Sequence, residues 1–149
     1  MKLERLQSSL EVLDELVAFE AICAFLTEDE RPFGGLLGLV DWRLCGALSR
    51  VVKSGFFNAA PSERLLLPTD GHIAPGKIFV AGLGRMGAIT QMGLEHELKK
   101  ASQMLEGAGV TSVALAFARL PPAVDAVRDE VVDRAFVASF RGRVGLFVA

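Results

Sequence analysis

The chain is poor in cysteine, has no long apolar run, and carries no surplus of positive charge. Cys23 and Cys45 are its only cysteines, too few for a disulfide framework or a four-cysteine zinc site, and both lie in apolar patterns that read as buried free thiols. The longest uncharged run, Gly107 to Ala118, is shorter than the roughly 18 residues a membrane span needs, so no membrane association is expected. A net charge of -2 provides no electrostatic footprint for nucleic acid, whose phosphates call for a basic face. The start, Met1 to Arg5, mixes charges and runs into Gln7-Ser8-Ser9 without the apolar core of a secretory signal, which leaves the cytoplasm as the expected compartment.

Metal and nucleophile signatures are equally scarce. His96 is followed by Glu97, but position 100 is Lys100, so the zinc spacing H-E-x-x-H is missing; His72 sits in a turn. No G-x-S-x-G elbow occurs, and the neighbouring acids Asp29 and Glu30, or Asp129, Glu130 and Asp133, read as solvated surface groups. No complete catalytic set emerges, and neither a cofactor nor enzymatic activity is expected.

What is present is one α/β domain over residues 1–149, with 51% hydrophobic residues and a positive mean hydropathy. So apolar a chain needs both faces of its sheet covered, or part of its surface covered by a partner. Lys77 to Ala81 reads as a buried strand, Gly82 to Gly87 as a turn, and Ala88 onward as a helix. That helix places Leu94, Leu98, Ala101 and Leu105 on one stripe and turns Glu95, Glu97, Lys99 and Lys100 largely away. Gly107 and Gly109 stop it, and Val110 to Phe117 follows as a parallel strand, completing a βαβ unit.

The flanking pattern is less regular. Leu10 to Leu13 and Leu16 to Leu26 read as two strands or one broken strand. A single helix is expected from near Leu39 to Gly55, with Val40, Leu44, Cys45, Leu48, Val51 and Val52 on one face. Glu63 to Leu67 reads as a strand pairing near Lys77 to Ala81. Pro121-Pro122 opens a further helix with a stripe of Val124, Val127, Val131 and Ala135, and Arg143 to Val148 reads as a last edge strand.

The segment Asp29 to Gly35, followed by Gly38 to Leu44, resembles the amino-terminal domain of the leucyl aminopeptidase family. So does the pairing of Leu65-Leu66-Leu67-Pro68 with Phe79 to Gly84. The resemblance implies a macro-domain-like, three-layer fold: a mixed, mainly parallel sheet with helices on both faces. In that family the two-metal chemistry lies in a carboxy-terminal domain whose metal-binding segments nothing here matches. The role implied for this chain is therefore that of the amino-terminal domain, which packs against other subunits of a hexamer.

Two functional expectations follow. The first is a non-catalytic association module, a homo-oligomer or part of a larger complex with an unidentified protein, using Phe33, Trp42, Phe56 and Phe57 as interface residues. The second is a sensor of a phosphate-bearing ligand, a nucleotide or an ADP-ribose-like molecule, held by Gly82, Gly84, Arg85 and Gly87. These residues follow the G-x-G-x-x-G spacing between strand and helix. A dinucleotide site is disfavoured, because the strand Val110 to Phe117 ends in Ala118-Arg119 and not in a ribose-binding acid.

Overall fold

In the computed structural model, which describes residues 3–148, six strands form one sheet in the order β1-β6-β5-β2-β4-β3. They are β1 (Glu4–Gln7), β2 (Ala21–Leu26), β3 (Arg64–Pro68), β4 (Lys77–Gly82), β5 (Ser112–Phe117) and β6 (Arg143–Val148). All neighbouring pairs are parallel except β3 with β4, which is antiparallel. The β4 to β5 crossover therefore spans β2, which pairs with both. Met1 and Lys2 of the mixed-charge start lie outside the described residues.

The strand pleat divides the core in two. Ile22, Ala24, Leu26, Ile78 and Val80 face α1 (Leu10–Glu15), α2 (Gly35–Arg43) and α3 (Ala47–Lys53). Ala21, Cys23, Phe25, Phe79 and Ala81 face α4 (Gln91–Gly107), α5 (Pro122–Asp125) and α6 (Arg128–Val132). Helices thus cover both faces, and β2 is fully buried because its alternate residues serve both layers. The stripe Leu94, Leu98, Ala101 and Leu105 is the buried face of α4, as its spacing predicts. Thr90 caps this helix by accepting the Gly93 N–H at 3.0 Å, after a short 3-10 turn over Met86–Ala88.

Several sequence expectations need correction. Leu10 to Glu15 is a helix and not a strand, because the Ser9 hydroxyl accepts the Val12 N–H and starts a turn. The expected single helix from Leu39 to Gly55 is two, broken where Cys45 and Gly46 take positive φ angles of 57° and 80°. Cys45 is consequently exposed, while Cys23 is buried as expected. The helix opened by Pro121-Pro122 is likewise interrupted, into α5, α6 and a π turn over Asp133–Val137. The last strand is not an edge: β6 lies between β5 and β1. Among the described residues, no helix is long and apolar enough to cross a membrane.

Candidate functional site

The carboxyl ends of β2, β4 and β5 gather the loops that could hold a ligand, and there the chain uses its own acids to fill backbone N–H positions. Glu30, in the loop after β2, accepts the Arg119 N–H at 2.8 Å and the Gly34 N–H, at the start of α2, at 3.3 Å. Its neighbour Asp29 accepts the Met86 N–H at 3.0 Å. Glu63 accepts the N–H groups of Asn58 and Ala60 at 3.1 and 3.0 Å. Asp29 and Glu30 are thus braces between loops, where their sequence setting predicts only solvated groups. Arg31 adds a further tie by donating to the Thr27 carbonyl at 2.9 Å.

Beside these contacts runs a cleft of about 600 Å³ lined by Glu30, Arg31, Phe117, Arg119 and Arg128. Phe117 stacks on Phe25 with ring centroids 4.7 Å apart, and the Arg128 guanidinium lies 5.8 Å from the Phe117 centroid. Thr27, at the end of the central strand, buries a hydroxyl that has no hydrogen-bond partner among the described residues.

The glycine loop is built into the sheet end. The N–H groups of Gly82, Leu83 and Gly84 donate to the carbonyls of Glu63, Leu26 and Ala59 at 2.8, 2.9 and 2.9 Å. A Cβ on Gly82 would lie 2.1 Å from the Ala60 carbonyl oxygen, so this glycine permits a close approach of two chain segments. Gly84 has φ of 81° and lies against Pro61. Only Arg85 and Gly87 of the four expected ligand residues are exposed; Gly82 and Gly84 are buried.

The four aromatic residues expected at an interface do not form one patch. Phe57 is 1% exposed and belongs to the core, so it is not available to a partner. Phe56, its neighbour, is 76% exposed. Phe33 is half-buried beside Val52 and Lys53 of α3, with the Arg31 guanidinium over its ring. Trp42 is 67% exposed and sits elsewhere, in a surface groove shared with Asp14, Cys45 and His72. Among the described residues, no cluster of acids, histidines and cysteines could hold a metal ion.

A polar cluster went unrecognised in the sequence. Glu97 is buried, where helical spacing predicts it turned away, because Ser62 donates to it at 2.8 Å and Arg64 at 3.3 Å. Lys100 completes the group by donating to the Ser62 hydroxyl at 2.6 Å. Its partners are more than thirty positions apart, so no local signal reveals it. The cluster clamps α4 to the start of β3.

Probable cytosol aminopeptidases share part of this sequence. The Geobacter sulfurreducens protein is 34% identical over 87 residues, which are 58% of this chain and 18% of the relative. The chain thus corresponds to only a small part of that protein's length. Among solved structures, a mutant of tomato leucine aminopeptidase superposes with a TM-score of 0.71 at 16% identity, covering 99% of this chain and 32% of the tomato chain. The macrodomain of Thermus aquaticus DarG superposes with a TM-score of 0.66 at 15% identity, covering 99% of both chains. These likenesses show the fold to be macrodomain-like, a mixed and mainly parallel sheet between helices. Residues 24–140 match the cytosol aminopeptidase family, N-terminal domain, and through that domain the chain belongs to the family.

Proposed function

We propose that this chain is a non-catalytic association module, acting as a homo-oligomer or within a larger protein complex of the cytoplasm. The observation that carries this reading is the filling of the sheet's carboxyl end by the chain itself. Asp29, Glu30 and Glu63 occupy N–H groups that an anionic ligand would use, and the Gly82 to Gly84 amides are spent on neighbouring carbonyls. Exposed apolar groups supply the complementary support. Val17, Trp42, Phe56, Leu66 and Met92 are each more than half exposed, apolar surface that a partner would cover. The family relationship also supports it, since the resemblance gives the amino-terminal domain an assembly role.

The second reading is a sensor of a phosphate-bearing ligand, a nucleotide or an ADP-ribose-like molecule, at Gly82 to Gly87. The exposed Arg85 favours it. So does the fold shared with Thermosipho africanus DarTG, solved in complex with ADP-ribose and superposing with a TM-score of 0.62 at 11% identity. The Asp29 carboxylate on the Met86 N–H weighs against it, because an anion placed there would meet a negative charge.

Sedimentation across a concentration series, paired with calorimetry against ADP-ribose and nucleotides, separates the two. The association reading expects a defined oligomer, or a stoichiometric complex with a second protein, and no heat of ligand binding. A chain that stays monomeric without a protein partner, yet binds ADP-ribose, overturns it.

A further inference from the structure

The two edges of the sheet differ. At one edge β1 is four residues long and carries Glu4, paired with Arg143, and Arg5, paired with Asp129. Charge and shortness guard it against pairing with another strand. At the other edge β3 reads Arg64-Leu65-Leu66-Leu67-Pro68, with Leu66 55% exposed. Its single charged residue, Arg64, is engaged by the buried Glu97.

The ladder fixes which backbone groups of β3 point outward. The Gly82 N–H donates to the Glu63 carbonyl and the Thr69 N–H to the Gly76 carbonyl, at either end of the antiparallel register. Antiparallel bonding alternates along a strand, so Leu65 and Leu67 bond to β4 while Arg64 and Leu66 direct their N–H and C=O groups away from it. Pro68 has no N–H to offer and ends the available edge.

We propose that the β3 edge is where two copies of this chain join, antiparallel and about a two-fold axis beside Leu66, so that two sheets continue as one. This rests on the association reading and names its partner as a second copy. A two-fold there is self-complementary: the outward N–H and C=O groups of Leu66 meet those of its counterpart reciprocally. The exposed Leu66 side chains then cover each other, and on the opposite face Leu65 meets the partner's Leu67, apolar against apolar. Because Glu97 already neutralises Arg64, the approach sets no unpaired cations together. The β1 edge has no such property, with Glu4 and Arg5 in its four residues.

The test compares the full chain with Leu66→Lys by sedimentation, and adds a cross-linking arm in which Leu66→Cys is placed in a Cys45→Ser background. A thermal melt confirms that each variant folds. Expected are a dimer for the unaltered chain and an affinity weaker by at least about ten-fold for Leu66→Lys, from two like charges placed opposite each other. Opposed residues of a hydrogen-bonded antiparallel pair have Cα atoms about 5.5 Å apart, within disulfide reach, so the Leu66→Cys chain should oxidise to a covalent dimer. Val17→Cys, at a more exposed position just before β2 and so two strands away from the edge, should not. An oligomer that survives Leu66→Lys and gives no Leu66→Cys cross-link overturns this edge while leaving the association reading standing. A monomeric unaltered chain overturns the pairing, and if no protein partner is found either, the association reading falls with it.

Discussion

Glu30 Oε1 accepts the Arg119 backbone N–H at 2.8 Å, joining the loop after β2 to the loop after β5 across 89 positions of sequence. The other carboxylate oxygen takes the Gly34 N–H, so a single side chain holds three segments at the end of the sheet. Removing it leaves two N–H groups to find water. Glu30→Ala is expected to lower unfolding free energy by about 1–2 kcal/mol, with faster amide exchange at Gly34 and Arg119. Unchanged exchange at both amides would show that the carboxylate is not their acceptor in solution.

Gly82 and Gly87 stand at the two ends of one motif and should respond unequally to the same change. A methyl group on Gly82 would meet the Ala60 carbonyl oxygen at 2.1 Å and the Ala59 carbonyl carbon at 2.5 Å, both backbone atoms that cannot yield cheaply. Gly82→Ala is expected to cost about 2–3 kcal/mol. Nothing lies within 4 Å of the same position on Gly87, and Gly87→Ala should leave stability within about 1 kcal/mol of the parent. Chemical denaturation of both variants checks the contrast. Equal losses would mean that the glycines serve a common purpose and not a local fit.

The residues that read correctly from sequence are those whose signal is local. β4, β5 and the stripe of α4 follow from apolar runs and helical spacing, and the expected pairing of β3 with β4 is present, its antiparallel sense being visible only in the fold. Most of the misreadings come from contacts made at a distance or from backbone angles, whereas the helix at Leu10–Glu15 carried a local signal in its Ser9 cap. The break between α2 and α3 falls at Cys45 and Gly46, both at positive φ; the apolar spacing Val40, Leu44, Leu48 runs on through it, and Gly46 is the one local sign of it. Glu97 looks like a solvated helix residue until Ser62 and Arg64 are brought to it. Asp29 and Glu30 likewise look like a charged loop, and only the fold reveals the amides they serve. The core aromatic Phe57 and the exposed Phe56 are adjacent, and composition alone could not divide them.

The two cysteines should differ in reactivity. Cys23 is on the central strand with no exposed surface, and burial pushes its thiol up to about 12, with the nearby Arg64 charge opposing only in part. At pH 8 it is almost wholly protonated and sealed from reagent. Cys45, at the corner between α2 and α3, is exposed. A thiol-specific reagent should therefore modify Cys45 rapidly in the folded chain and Cys23 only after denaturation, as mass mapping of the labelled peptides would show. Rapid labelling of Cys23 under native conditions would mean that β2 opens far more readily than its burial implies.

The attachment of β1 should weaken in acid. Hydrogen bonding from Arg143 holds the Glu4 carboxyl below its ordinary value of 4.5. Burial works to raise the Asp129 carboxyl, but hydrogen bonds from Arg5 and Arg128 and their charges outweigh it, leaving it below its ordinary 3.8. A carboxyl whose pKa is depressed by folding contributes its stability in full above the unfolded value, and loses that stability as pH falls through the lower, folded value. Both pairs involve β1, since Glu4 bonds Arg143 of β6 and Arg5 bonds Asp129 of α6. The rest of the sheet is held mainly by apolar burial, which does not titrate. Lowering the pH from about 5 to about 3 should therefore reduce protection in Glu4 to Gln7 before that in β2 or β4, once intrinsic exchange rates are normalised. Glu4→Gln should remove part of this pH dependence while retaining a neutral hydrogen bond to Arg143. If protection of β1 fell in parallel with that of β2, the strand would be held by the cooperative core and not by its ion pairs.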